Sequence, residues 1–360
     1  MIAPMLAKAV GDQVPDTEGL LYEPKWDGFR CIVFRDDSVV LQSRKEEDFS
    51  YLFPEVVSVA ESLPAGTTLD GELVIVGDKG LEFDLLSNRI RPRSEAGGWK
   101  IKELSEATPA RFVAFDILRH NGEDISQLPF AQRRETLESL DLPADMHLTP
   151  ITADPAVARE WFDLFEGAGL DGVVCKPAEA PYTPGKRTML KVKHVRTADV
   201  VVAGWRPYKN PAPDGSEMLG ALLLGLYDDE GRLHNVGAAG SFTRDNRIAL
   251  AKELAAIEVG PDDDHPWAWG ASAEGQRVPG MQSRWTGKKD MGFHPIQPIL
   301  VAEVKYDHMQ GDRFRHVASF VRWRPDREPD SCTYEQLEQP VKFDVAAVLI
   351  LLAAVLGYAN

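Results

Sequence analysis

The chain has 360 residues, 44% of them hydrophobic and 27% charged, a composition that fits two ordinary globular domains and excludes a wholly disordered protein. Its 40 Lys and Arg stand against 56 Asp and Glu, so no general basic coat exists and any polyanion must be met by a local patch. Cys31, Cys175 and Cys332 are too few and too far apart for a disulfide framework or a zinc knuckle, and fit a reducing cytosol.

In chain order, the opening "MIAPMLAKAV" lacks the basic segment and apolar core of a signal peptide, which predicts a protein that stays in the cytoplasm. Short β-branched runs follow, "CIVF", "SVVLQS", "TTLDGELVIV", "RFVAFDIL" and "LDGVVCK", separated by helix-like stretches such as "PFAQRRETLESLD". This pattern predicts an α+β domain with mostly antiparallel sheets over residues 1–196. Residues 92–108 and 258–285, rich in Gly, Pro and polar side chains, read as loops. After "LKVKHVRTAD" several short strands surround one helical segment, "TRDNRIALAKELAAI", with "DDEG" as a hairpin turn. A small β-barrel over 197–342 is expected there. Val345 to Leu356 is an apolar run of twelve residues, too short to span a bilayer, and predicts a docked terminal helix or frayed tail over 343–360.

The charge is unevenly spread. Between Pro181 and Asn210 lie Lys186, Arg187, Lys191, Lys193, Arg196, Arg206 and Lys209 against Asp199 alone, a surplus of six positive charges. Arg89, Arg91, Arg93, Lys100 and Lys102 form a second cluster. Charge runs are usually solvated faces. These two adjoin motifs that carry chemistry.

The first motif is "LYEPKWDGFRC", where Lys25 lies between Pro24 and Trp26 with Arg30 five residues on. A lysine acts as a covalent nucleophile only in its neutral form, which desolvation or cationic neighbours promote. Alone, the tetrapeptide around Lys25 is an ordinary turn. Its companions follow in order: "SRKEED" with Arg44, "LDGELVI" with Asp70 and Glu72, "FVAFDIL" with Phe115 and Asp116, "LDGVVCK" with Asp171 and Lys176, "LKVK" with Lys191 and Lys193, and "RWRPDR" with Arg324, Asp326 and Arg327. Two lysines two apart in a strand share a face and repel unless an anion sits between them. Glu72 and Asp171, hard oxygen donors beside glycines, suit Mg²⁺ or Mn²⁺ held jointly with phosphates. Phe115 is a core residue by default and a base-stacking platform otherwise.

This order of motifs resembles the covalent nucleotidyltransferase superfamily, and within it the small bacterial ATP-dependent DNA ligases, the mycobacterial ligase C group in particular. The resemblance covers residues 4–340. It implies an adenylation domain followed by an OB-fold domain, ATP as AMP donor, a divalent metal, and sealing of nicked duplex DNA in repair. It implies that Lys25 attacks the α-phosphate, that Glu23 contacts the adenine, that Phe115 stacks on it, and that Lys191 and Lys193 hold the α-phosphate. Arg30 and Arg44 would grip nucleotide and nick phosphates, Glu72 the ribose or metal, and Asp171 the metal. Arg324, Asp326 and Arg327 would orient the pyrophosphate. For the second face of the adenine, strict alternation from Asp171 nominates Val173 and the family pattern Val174, which is the choice made. The sequence departs from that pattern at Asp171, where a Glu is usual, in "SRKEED", which lacks a following Gly, and at Arg327, where Lys is more frequent.

DNA contact is expected mainly at phosphates, which assigns Arg30, Arg44, Arg89, Arg91, Arg93, Lys288 and Lys289 to the duplex. A primase-polymerase or Ku of bacterial end joining are further implied partners, with no membrane and a monomeric protein. Two other readings share the residues: an RNA ligase or capping-type guanylyltransferase, and a silent nick-binding scaffold.

Overall fold

The computed structural model describes residues 1–77, 80–91, 94, 98–267, 274–280, 292–337, 344, 345 and 348. The chain divides into two compact units, Met1–Lys193 with Pro340–Asn360, and His194–Gln339. The division falls three residues before the expected position because Arg196 already begins a barrel strand, paired with Tyr306.

The first unit runs β1 (Leu6–Ala9), β2 (Leu20–Pro24), β3 (Phe29–Arg35), β4 (Val39–Ser43), α1 (Pro54–Ala60), β5 (Thr67–Val74), β6 (Val76–Gly77), β7 (Gly80–Leu81), α2 (Phe83–Ser87), α3 (Trp99–Ala107), β8 (Arg111–His120), β9 (Glu123–Asp124), α4 (Phe130–Glu138), β10 (Met146–Leu148), α5 (Pro155–Phe165), β11 (Val173–Pro177) and β12 (Arg187–Val192). Two sheets carry it, in the orders β1-β12-β11-β2 and β10-β8-β5-β3-β4. The sheets are mixed: β1 lies parallel to β12 and β10 parallel to β8, both at outer positions, and the remaining pairs are antiparallel. Cys31, Val33, Leu41, Phe53, Leu69, Leu73 and Phe112 fill the core on the larger sheet.

Two helices differ from expectation. Residues 99–107 form α3 where a loop is predicted, because "WKIKELSEA" is rich in strong helix formers and seats Ile101 in the core. The unpredicted α5 starts at a clear signal, Asp154 accepting from the Ala156 N–H with Pro155 in the first turn. Of the apolar C-terminal run, Val345 and Val348 are described; both are helical and packed with Trp26, Val74, Val113, Phe165 and Leu170.

The second unit is a closed five-stranded barrel in the order β13-β14-β15-β19-β16. Its elements are β13 (Arg196–Pro207), β14 (Leu219–Tyr227), β15 (Leu233–Gly240), α6 (Arg244–Ala255), β16 (His294–Tyr306), the small hairpin β17 (Met309–Gln310) and β18 (Arg313–Phe314), and β19 (Ala318–Trp323). The "DDEG" turn joins β14 to β15, with Gly231 at φ +74° and Asp228 accepting from the Glu230 and Arg232 N–H groups. Thr243 caps α6. Among the described residues, no helix is long and apolar enough to cross a membrane.

Candidate active site

Lys25 sits between β2 and β3, in a backbone held from both sides. Its N–H donates to the Gly172 carbonyl and its carbonyl accepts from the Asp171 N–H, both at 2.8 Å. Two glycines make this approach possible. A Cβ on Gly28 would lie 2.0 Å from the Leu73 carbonyl oxygen, and one on Gly172, at φ +123°, 2.1 Å from that of Val192. The Lys25 segment is thereby clamped against both sheets.

Several cations gather around Lys25. Its Nζ lies 2.7 Å from Asp171 Oδ2, and Lys193 Nζ reaches the same oxygen at 3.0 Å. Burial lowers the pKa of Lys191, helped by the charges of Lys193, Lys25 and Arg44. Four cations thus share one neighbourhood with Asp171, and Glu72 also lies near Lys25, so the repulsion among the cations is offset in part by these carboxylates. Lys191 lies in β12, whereas Lys193 stands just past its end.

In the smaller sheet the two candidate valines face opposite ways. Val174 pairs directly with Glu23 on one side and with Lys191 on the other, so the three side chains share a face. Val173 turns away into a cluster with Tyr22 and Phe162. Counting from Asp171 fails because Gly172 leaves the extended conformation before the strand begins.

Glu23 is 2% exposed. Its Oε2 lies 2.6 Å from Lys176 Nζ, and its Oε1 has no hydrogen-bond partner. Burial pushes the Glu23 carboxyl up, against the pull of Lys176 and Arg134. Phe115 is buried, with the Arg30 guanidinium 4.5 Å and the Lys176 ammonium 4.7 Å from its ring centroid. A base stacking on Phe115 therefore shares the ring with Arg30. Arg30 itself is gripped by Asp70 through two contacts of 2.6 Å, and Nη2 also donates to the Met5 carbonyl at 3.2 Å. Tyr182 braces the same carboxylate at 2.6 Å.

Glu72 is half-buried on β5, where burial pushes its carboxyl up to about 7 against the nearby Arg30 and Lys25. A carboxylate held in that condition gains from a cation, so Glu72 fits a divalent metal. Asp171 fits less fully, since two ammonium groups already share its Oδ2.

Residues 4–193 match the ATP dependent DNA ligase domain, and residues 215–327 the ATP dependent DNA ligase C terminal region. The chain belongs to the ATP-dependent DNA ligases. It is 46% identical to DNA ligase C of Mycobacterium tuberculosis over 97% of both chains. Identity to DNA ligase C2 of Mycolicibacterium smegmatis is 48%, over 94% of this chain and 95% of the relative. It is 27% identical, over 93% of this chain and 40% of the relative, to the multifunctional non-homologous end joining DNA repair protein LigD of M. tuberculosis. A solved structure of a Lig E DNA ligase shares the fold, with TM-score 0.54 and 16% identity, covering 90% of this chain and all of that one. The expected architecture stands: a nucleotidyltransferase domain and, in the five-stranded barrel, the ligase OB-fold domain.

Set against this ligase framework, one expected DNA contact is corrected. Arg89 is fully buried: its Nη2 is 2.7 Å from Glu55 Oε1 and also donates to the Leu104 and Thr108 carbonyls, and Nη1 donates to that of Leu52. Local charge density cannot reveal that a loop folds its arginine inward. Arg91 is partly exposed, and Arg44 is exposed just after β4. Arg93, Lys288 and Lys289 lie outside the described residues.

The last motif belongs to the ligase's barrel. Arg324 Nη1 contacts both carboxylate oxygens of Asp199 at 2.9 Å, its Nη2 lies 2.8 Å from Asp326, and Arg327 Nε lies 3.4 Å from Asp199. Sequence reasoning missed Asp199, and it left Lys176, Arg134, Asp70 and Tyr182 without roles. The signal available was the placing of Lys176 and Asp70 inside motifs already singled out.

Proposed function

We propose that this ligase seals 3′-hydroxyl/5′-phosphate nicks in duplex DNA through an AMP-bearing Lys25. The observation that carries the reading is the cation cluster around that lysine, with Lys193 sharing its carboxylate partner. In the first step the neutral Lys25 amine attacks the α-phosphorus of ATP. A P–N bond forms, the bond to the bridging oxygen breaks, and pyrophosphate leaves with the electron pair. Asp171 Oδ2, at 2.7 Å, is placed to receive the amine proton. AMP then passes to the nick 5′-phosphate, and the 3′-hydroxyl displaces it.

Within this reading Glu23 accepts from the adenine amine, while Phe115 and Val174 flank the base. Lys191 and Lys193 neutralise the α-phosphate, and Arg44 binds nucleotide or nick phosphate. Arg30 acts chiefly by holding Phe115, with Nη1 left for phosphate. Transfer of this kind is mostly positioning and neutralisation of spread charge. Glu72 and Asp171 would hold Mg²⁺ or Mn²⁺, which screens the phosphate charge when bound. Arg324, Asp326 and Arg327 orient the pyrophosphate. A role in repair, with a primase-polymerase or Ku as partner, is supported by the likeness to an end-joining protein. The protein acts as a cytoplasmic, nucleoid-associated monomer.

The test is labelling with α-labelled ATP or GTP and a divalent metal after discharge with pyrophosphate. Acid-labile label from ATP on the native chain, absent from Lys25→Ala, is expected. The reading fails if neither nucleotide labels the discharged protein, and a capping reaction replaces it if GTP alone does.

A further inference from the structure

Lys176 lies in β11 and is 2% exposed, yet the phosphate chemistry gives it nothing to do. Burying an ammonium costs free energy unless it is paired and hydrogen-bonded. Its partners are informative. Nζ lies 2.6 Å from Glu23 Oε2, donates to the Phe115 carbonyl at 2.9 Å, and stands 4.7 Å from the Phe115 ring centroid and 4.4 Å from that of Phe130. One buried ammonium therefore joins two groups expected to meet a base, a carboxylate for its edge and a ring for its face.

The remaining valences point the same way. Glu23 Oε1 is buried without a hydrogen-bond partner, and so is Arg134 Nη1, 3.8 Å from it. That separation is too long for a hydrogen bond between them. Arg134 is itself fixed by donating to Glu138 and to the Thr149 carbonyl, so the gap does not close by moving the arginine. A buried acceptor left open in this way is costly unless a ligand fills it. The face it occupies is that of Val174 and Lys191.

We infer that Lys176 is a positioning residue for base selection: it holds the Glu23 carboxylate with Oε1 open to the exocyclic amine of adenine, and fixes Phe115 to stack on the same base. This rests on the nucleotide-site reading above. An amine at the base edge donates to the carboxylate, whereas the carbonyl that guanine carries there is repelled. Without the ammonium, burial favours the protonated Glu23 carboxyl, which no longer offers the same acceptor.

The experiment measures single-turnover adenylylation of the full chain, discharged with pyrophosphate, using ATP and purine riboside triphosphate, which lacks the 6-amino group. The native chain should favour ATP by about 10-fold or more, the worth of one hydrogen bond to a charged group. Lys176→Met should lose most of this preference, with the loss in half-saturating ATP more than in the saturated rate. Lys176→Arg should keep much of it. A folded Lys176→Met protein with the native preference overturns the inference. Should that variant not fold, Glu23→Gln with and without Lys176→Met, neither of which leaves an orphaned buried carboxylate, decides: preference lower in the double variant than in Glu23→Gln alone supports the inference, and equal preference in the two overturns it. Failure of ATP to label the native chain is seen before any variant is compared, and it sinks the nucleotide reading itself.

Discussion

The two units treat their functional cations in opposite ways. Around Lys25 the first unit gathers Lys191, Lys193 and Arg44 about Asp171, so that several cations share one carboxylate and repel one another. In the barrel, Arg324 and Arg327 meet Asp199 and Asp326, with Glu303 3.7 Å from Arg324. The difference teaches how each responds to a phosphate. A phosphate brought to the first site would be neutralised directly, whereas one brought to the barrel arginines would have to displace carboxylates.

The sharpest way to break this contrast is Lys191→Ala with Arg44→Ala. Adenylylation should slow by about 10²- to 10³-fold, the usual cost of losing a charge-stabilising donor. The melting temperature should hold or rise, because like charges are separated. A fall in melting temperature would show that these cations are matched after all.

Arg89 extends the matched class into the core. Arg89→Met should destabilise the first unit by about 3–5 kcal/mol through the orphaned Glu55, read as the urea midpoint. The salt dependence of nicked-DNA binding should stay unchanged. A shallower salt slope at native stability would return Arg89 to the DNA surface.

Glu72 sharpens the contrast through pH. Its carboxyl is pushed up to about 7 in the folded chain from an ordinary value of 4.5. The stability it contributes is therefore full below the ordinary value and lost as pH rises through 7. Glu72→Gln should raise the melting temperature at pH 8, with no gain at pH 4, while slowing adenylylation. A gain independent of pH would contradict the raised carboxyl.

The smallest effect is expected at Asp199. Asp199→Asn weakens the grip on Arg324 and should lower the half-saturating ATP concentration several-fold, at a cost of a few degrees in melting temperature. An increase in that concentration would mean that Asp199 positions the arginine for phosphate.

Much of this was legible beforehand, for identifiable reasons. The runs "CIVF" and "RFVAFDIL" became β3 and β8 because β-branched and aromatic residues fit a buried pleat. The "DDEG" hairpin formed where Gly231 permits a positive φ. Other features were not visible. The helix α3 was hidden by its Gly-rich flank, and the parallel pairings of β1 and β10 depend on partners more than thirty residues away in sequence. Alternation from Asp171 alone pointed to Val173; that Val174 and not Val173 shares a face with Glu23 and Lys191 follows from the register of three strands, since Gly172 breaks the alternation.

The sequence alone determined the elements and the chemical inventory: a lysine in "EPKWDG", acids beside glycines, and paired lysines in "LKVK". Such signals are local, set by side-chain period and by which residue types can perform nucleotidyl transfer. Only the tertiary structure decided which charges are matched. Lys25 meets Asp171 across 146 positions, Arg89 turns inward to Glu55, and Lys176 is buried against Glu23. A charge acquires its role from what lies within a few ångströms and from how little water remains between, and neither is written in the order of residues.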